Sequence, residues 1–359
     1  MKDKAQFVPK IEGNKISSFK TTWSAPSNIA LVKYWGKKEL QIPCNPSVSF
    51  TLDQCRTTTS VQFKSRTAHG HASLAIQYDG KPAPSFEPKV KTFIDRIRPY
   101  APYLNEYHLQ IDTVNSFPHS SGIASSASAM AALAAAIMDL EKQIYPSLTV
   151  EDQIKKCSFL ARLGSGSAAR SVEGPLVLWG EHTATPDSSD LFGVRWTKAA
   201  NVFQTYRDTI LLVDKGQKEV SSTVGHNLMH NHPFSENRFT QAKAHFQDLL
   251  SILENGDMNG FTDLVEREAL SLHAMMLTSS PSYILMHPNT IQIIQKVRNF
   301  RKTTGLHLTF TLDAGANVHL LYPEHEAEQI GQFIESDLRQ YCQDNELISD
   351  RVGTGLKKT

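Results

Sequence analysis

The run from Ser116 to Glu141, SFPHSSGIASSASAMAALAAAIMDLE, constrains the fold more than any other part of the chain. A glycine-centred turn of small polar residues passes directly into an alanine-rich stretch, which predicts a helix from about Ser125 to Leu140. Because it is apolar on nearly every side, that helix has to lie buried between other elements, with its first turn facing an interior cleft. Backbone N–H groups at a helix start are unpaired and sum to about half a positive charge, so anions settle there. Small residues at Gly122, Ala124, Ser125 and Ser126 leave room for phosphate oxygens to reach the backbone. The same residues also suit a serine-capped helix that packs through small side chains.

At 359 residues the chain exceeds what one hydrophobic core usually supports, so two domains are expected, with a boundary between 190 and 205 that divides it into 1–200 and 201–359. Lysine plus arginine number 37 against 36 acidic residues; a net charge of +1 supplies no field for nucleic acid or an anionic membrane. Anions must then be recognised by a local cluster. Cys44, Cys55, Cys157 and Cys342 form no C-x-x-C pair, which argues against a zinc site or a disulfide framework and favours a reducing compartment. The first 19 residues lack the apolar stretch of a secretory signal, and the longest apolar run, Ala129 to Met138, is too short to span a bilayer. A soluble cytoplasmic protein is expected.

Periodicity predicts strands at Thr57–Phe63, Ser73–Tyr78, Tyr107–Thr113, Pro175–Trp179, Thr209–Val213, His307–Leu312 and Asn317–Tyr322. It predicts helices at Pro88–Ile97, Val150–Leu163, Glu236–Leu253, Thr262–Met275, Thr290–Arg301 and Glu324–Tyr341. Residues 1–15 and 350–359 read as loosely held ends.

Three further segments carry chemistry. In Ser24–Lys38, Lys33, Lys37 and Lys38 stand beside Tyr34 and Gly36, a set able to grip a diphosphate; it also reads as a strand end with solvated lysines. Gly36-Lys37 is not a Walker loop, because glycine would have to stand at Leu31. The run Gly164-Ser165-Gly166-Ser167-Ala168-Ala169-Arg170-Ser171 formally matches G-x-G-x-x-A, but the preceding residues read as helix, so a dinucleotide-binding dehydrogenase is disfavoured. Arg170 offers a planar fork suited to a carboxylate, unless it is a surface charge in a Gly/Ser turn. Asp313 sits between an apolar strand and an Ala/Gly turn, where a fixed catalytic carboxylate or an ordinary hairpin aspartate would stand. His226 and His230 have a zinc-like spacing without an acidic or cysteine companion, and read as loop or surface histidines.

In this order the segments resemble the diphosphomevalonate decarboxylase family of the GHMP kinase superfamily, from Ser24 to about Tyr322. The resemblance rests on Asn28–Lys37, Gly122–Ala127, Gly164–Ser171, Val220-Ser221-Ser222-Thr223 and Asp313-Ala314-Gly315. It implies an α+β fold of two domains, the first like ribosomal-protein and GHMP kinase domains, the second ferredoxin-like, with the active site between them. It also implies a homodimer and use of ATP with Mg²⁺, whose ligands the sequence does not identify. The implied substrate is 5-diphosphomevalonate, phosphorylated on its 3-hydroxyl and decarboxylated to isopentenyl diphosphate. By motif, Asp313 is the base, Lys33 lies near it, and Arg170 with Ser167 holds the carboxylate. Tyr34, Lys37, Ser165 and Ser221 face the diphosphate, while Gly122, Ala124, Ser125 and Ser126 face ATP. Ala316, Asn45–Ser49 and His119-Ser120-Ser121 depart from the family pattern without removing a reacting group. A monophosphomevalonate decarboxylase, a mevalonate 3-kinase or a silent nucleotide-binding protein are the alternatives on the same scaffold.

Overall fold

The computed structural model describes residues 4–9, 13–66, 73–118, 123–216 and 222–359, with 222 and 223 described in backbone only. Ser18–Val32 (β1) and Ser47–Ser65 (β2) pair along most of their length. Next come Ser73–Tyr78 (β3), Lys81–Pro82 (β4), the helix Glu87–Ile97 (α1) and Tyr107–Asn115 (β5). Helices Ser125–Ile144 (α2) and Val150–Gly164 (α3) precede two short strands, Leu176–Trp179 (β6) and Val194–Arg195 (β7). Their spatial order is β1-β2-β5-β3-β4, with β6 on the remaining part of β2 and β7 beside β6. β3 runs parallel to β5, and the other pairings described are antiparallel.

Burial along β2 follows from what covers it. From Thr57 to Phe63 buried and half-buried residues alternate, as a sheet with one packed face requires. Residues Ser47 to Leu52 are buried on both faces. Val61 and Phe63 share a core with the α2 alanines and with Phe159 and Leu160 of α3. Alanine on α2 lets sheet and helix approach closely, and Met130 fills the space left by the absent side chain of Gly164, where an added Cβ would lie 2.5 Å from the Met130 sulfur.

A second sheet begins after Asn201–Gln204 (α4) with Arg207–Leu211 (β8). Four helices follow, Ser222–Leu228 (α5), Ser235–Asn255 (α6), Met258–Leu277 (α7) and Pro288–Thr304 (α8). The hairpin Thr309–Thr311 (β9) and Val318–Tyr322 (β10) leads to Ala327–Phe333 (α9), Leu347–Arg351 (β11) and Lys357–Lys358 (β12). The order is β11-β8-β10-β9, all antiparallel, while β12 returns to pair with β1 of the first sheet.

Three expectations need correction. β1 was not foreseen as a long strand; Pro26 lies within it at a shift of register against β2, which is where a strand tolerates a missing N–H. The helix expected over Glu324–Tyr341 is α-helical only to Phe333, then widens into a π-turn over Ile334–Leu338. The C-terminal end is not loose: β11 and β12 both pair, and Thr359 N–H donates to the Thr22 carbonyl at 3.1 Å. At the other end, Phe7 is buried and stacks on Phe159 with centroids 4.1 Å apart.

Candidate active site

β1 ends at Val32, and the next residue, Lys33, enters a cleft between the two sheets. Its Nζ meets Asp313 Oδ1, in the turn between β9 and β10, at 3.1 Å. Lys33 is 1% exposed, so this ion pair is made where water is scarce. Its backbone is fixed on both sides: the N–H donates to Glu268 Oε2 at 2.8 Å, and the carbonyl accepts from Asn45 Nδ2 at 3.0 Å. Burial pulls the Lys33 ammonium below the ordinary lysine range, and Asp313 opposes that pull. His273 Nε2 lies 3.1 Å from the Asp313 carbonyl oxygen and ties the turn to α7.

Arg170 comes from the 3-10 turn Gly166–Ser171 that follows α3. It is buried, not a surface charge: Nε donates to Ser49 Oγ at 2.5 Å, Nη1 donates to Ser47 Oγ, and the guanidinium lies 5.5 Å from the Trp179 ring centroid. Ser49 Oγ in turn donates to Asn28 Oδ1 at 3.0 Å, and Asn28 Nδ2 donates to Ser171 Oγ at 2.8 Å and to the Ser167 carbonyl at 3.2 Å. This chain of bonds runs in one direction and locks the fork, leaving Nη2 without a partner among the described residues. Burial lowers the Arg170 pKa to about 10, against the pull of Asp313 and Tyr34, so the group stays cationic at neutral pH.

Tyr34 and Lys37 stand farther along the same wall. The Tyr34 hydroxyl is buried without a hydrogen-bond partner, and its ring sits between Trp179 (4.7 Å) and His226 (4.4 Å). An orphaned hydroxyl is costly unless a ligand or water completes it. Gly166 makes that position possible, since a Cβ there would lie 2.6 Å from the Tyr34 oxygen. Ser165 Oγ lies 3.1 Å from Ser126 Oγ, joining the Gly-Ser turn to the first turn of α2. Ala124, at φ +44°, sets the entry to that helix, and Ala124, Ser126, Ser165 and Ser167 all line the cleft. Ser125 begins the helix but is not in the cleft wall. Gly122 and Ser221 lie outside the described residues.

A family description of the diphosphomevalonate decarboxylase-like N-terminal domain matches residues 25–190, and one of the mevalonate 5-diphosphate decarboxylase C-terminal domain matches 209–356. The diphosphomevalonate decarboxylase of Aspergillus fumigatus is 30% identical over 338 residues, which span 89% of this chain and 81% of the relative. The chain belongs to the diphosphomevalonate decarboxylase family. Its two-domain α+β architecture is the GHMP kinase fold, with the cleft between the domains. The mevalonate diphosphate decarboxylase from Staphylococcus aureus superposes with a TM-score of 0.81 at 28% identity, covering 95% of this chain and 98% of that one. MDDEF in complex with MVAPP, AMPPCP and magnesium superposes with a TM-score of 0.80 at 26% identity, covering 95% and 99%.

Several residues of this decarboxylase-family cleft escaped the sequence reading. Ser47 and Ser49, within the Asn45–Ser49 segment noted only as a departure from the family pattern, aim Arg170, and Glu268, which no local motif marks, anchors Lys33 from α7. His226 is a clearer correction. It is buried in the cleft wall, not at the surface, and its Nδ1 accepts the Gly36 N–H at 3.0 Å. His230 is exposed, and among the described residues no group of three or more His, Cys, Asp or Glu side chains converges as metal ligands. The readable signals were Gly225 and Gly36. A Cβ on Gly225 would lie 2.5 Å from the Trp35 ring, and Gly36, at φ +97°, would strike Phe239 at 2.7 Å.

Proposed function

We propose that this chain uses Mg-ATP to phosphorylate the 3-hydroxyl of 5-diphosphomevalonate and then releases phosphate and carbon dioxide to give isopentenyl diphosphate and ADP. The observation that carries the reading is the Lys33–Asp313 pair, set in one cleft with the locked Arg170 and the orphaned Tyr34 hydroxyl. Residues 1–200 and 201–359 are the two domains, and the working form is a cytoplasmic homodimer; light scattering giving the mass of a single chain would refute the dimer. Among the described residues no helix is long and apolar enough to cross a membrane.

Asp313 accepts the hydroxyl proton. A carboxylate is too weak a base to deprotonate a tertiary alcohol beforehand, so the transfer comes late, as the new P–O bond forms. Lys33 keeps the carboxylate ionised and aligned. Arg170, with Ser167 beside it, orients the substrate carboxylate, while Tyr34, Lys37 and Ser165 meet the diphosphate, as does Ser221. Ala124, Ser126 and Gly122 face the nucleotide phosphates, with Ser125 beside them at the start of α2. Magnesium supplies charge neutralisation on those phosphates. The donors present suit it: Mg²⁺ prefers phosphate and water oxygens to a protein cage, and among the described residues the cleft offers the Ser126 and Ser165 hydroxyls and one carboxylate instead of a cluster. When the 3-phosphate departs with its C–O electrons, carbon 3 becomes electron-poor. The bond to the carboxylate then breaks, its electrons form the double bond, and carbon dioxide leaves.

Mevalonate, its 5-phosphate and its 5-diphosphate, each offered with Mg-ATP, separate the readings when ADP and carbon dioxide are assayed independently. Equal amounts of both are expected with the diphosphate alone. ADP without carbon dioxide identifies a kinase, preference for the monophosphate identifies the sister decarboxylase, and nucleotide binding without either product identifies a silent protein. Asp313→Asn is expected to bind ATP normally and lose turnover by roughly three orders of magnitude or more. Turnover within ten-fold of the parent removes Asp313 from its role.

A further inference from the structure

The Tyr34–Lys37 turn is gripped by a side chain outside the set of roles proposed above. α5 carries Gly225 against Trp35, and the next residue places its imidazole 4.6 Å from the Trp35 ring and 4.4 Å from the Tyr34 ring. His226 Nδ1 accepts the Gly36 N–H, so in the neutral ring the proton must sit on Nε2. Nε2–H has no acceptor among the described residues, and the ring lines the cleft that holds Lys37, Tyr34 and Arg170. That leaves the Nε2–H donor at the wall of a cleft that also carries Lys37 and Arg170. The donor is satisfied by an anion oxygen.

Position along the cleft identifies the anion. Lys33 and Asp313 mark the reacting end. His226 packs on Tyr34 and Trp35, and Lys37 and Arg170 are the cations that act on its ring. It also borders a neighbouring opening past Gly36, toward Lys38 and Lys243, which puts it at the end away from the chemistry. We propose that His226 binds the substrate's diphosphate as a neutral Nε2–H donor and contributes to the preference for a diphosphate over a monophosphate. The role rests on the functional reading above. Burial, reinforced by Lys37 and Arg170, pushes the ring's pKa down to about 3, so the donor carries a single, fixed proton across the working pH range. A neutral donor adds direction without adding another positive charge to a cleft already lined by Lys33, Lys37, Lys89 and Arg170.

The test separates the donor from the shape of the ring. His226→Leu fills similar space without a donor, and His226→Gln restores a donor near Nε2. In His226→Leu the KM for 5-diphosphomevalonate is expected to rise roughly ten-fold, with kcat and the KM for ATP within about two-fold of the parent. His226→Gln is expected to recover most of that loss. Inorganic pyrophosphate, titrated calorimetrically, is expected to bind His226→Leu roughly ten-fold more weakly than the parent, and His226→Gln nearly as well as the parent. An unchanged KM and pyrophosphate affinity in His226→Leu overturns the proposal. So does a His226→Gln variant as impaired as His226→Leu, or a loss that falls equally on the KM for ATP, because each assigns the ring a packing role. Pyrophosphate binding that depends on His226 in a protein that makes no carbon dioxide from 5-diphosphomevalonate refutes the assigned reaction and leaves the anion site standing. Normal decarboxylation with His226-independent pyrophosphate binding refutes the anion site alone.

Discussion

A single residue in this cleft is defined by what its neighbours have already taken. Arg170 has a fork, but Ser47 and Ser49 occupy Nη1 and Nε, so a substrate carboxylate meets it from the Nη2 side. His226 is neutral for the same kind of reason, and that has a consequence for stability. Its folded pKa, about 3, lies below the ordinary 6.5, so on acidification the unfolded chain takes up a proton that the folded one refuses. The folded state therefore loses stability as pH falls through about 6.5 toward 3. At about 1.4 kcal/mol per pH unit, the parent should lose roughly 2 kcal/mol relative to His226→Gln between pH 6.5 and 5. Urea melts of both proteins at pH 7 and pH 5 measure this; parallel losses would mean that the ring titrates normally.

Among the elements, α6 and α7 support the site through one carboxylate. Glu268 on α7 is fully buried and receives Arg238 through both oxygens, His245 Nδ1 at 2.5 Å, and the backbone N–H of Lys33. Burial alone would raise its pKa. His245, Arg238 and the Lys33 N–H outweigh that and hold the carboxylate ionised below the usual range. Glu268→Gln keeps the volume but strands the Arg238 cation, at a cost of about 3–5 kcal/mol in a urea midpoint measurement. Turnover should fall as well, because Lys33 loses the anchor that sets its reach to Asp313. A variant with parental stability and parental kcat would show that the helices hold Lys33 without this bond. The π-turn over Ile334–Leu338 keeps Ile334 and Leu338 on one face, buried in the second sheet's core.

For the molecule as a whole, the two sheets must hold a fixed relation if Lys33 and Asp313, 280 residues apart in the chain, are to meet. Asp350 on β11 contributes to this directly. Its carboxylate accepts the backbone N–H groups of Asp53, Gln54 and Cys55, in the part of β2 that has no ladder partner at the shift opposite Pro26. Asp350→Ala leaves those donors without their acceptor and should cost roughly 3 kcal/mol, with a larger loss in kcat than in ATP affinity because the reacting ends are drawn from opposite sheets. Thermal melts and nucleotide titration check both halves. If kcat holds while stability drops, the sheets keep their relation by other contacts.

Local chemistry alone was enough to specify the elements whose pattern is internal, α2 from its alanines and α6 to α8 from their periodicity; for Asp313 it left an ordinary hairpin aspartate open, and the family resemblance made the choice. Local chemistry was also enough to mark Lys33, Tyr34, Lys37, Ser165, Ser167 and Arg170 as polar groups in unusual settings, and the structure brings these together with Asp313 in one cleft. Tertiary packing decided what no short window contains. β1 is a strand because β2 pairs with it along most of its length, and β12 is one only because it completes the free edge of β1; a two-residue strand has no pattern of its own. Ser47, Ser49, Glu268 and His226 show no such role in sequence, and they acquire it because Arg170, Lys33 and Gly36 present polar groups to them in space. A hydrogen-bond partner is a property of distance in space, and folding alone sets that distance.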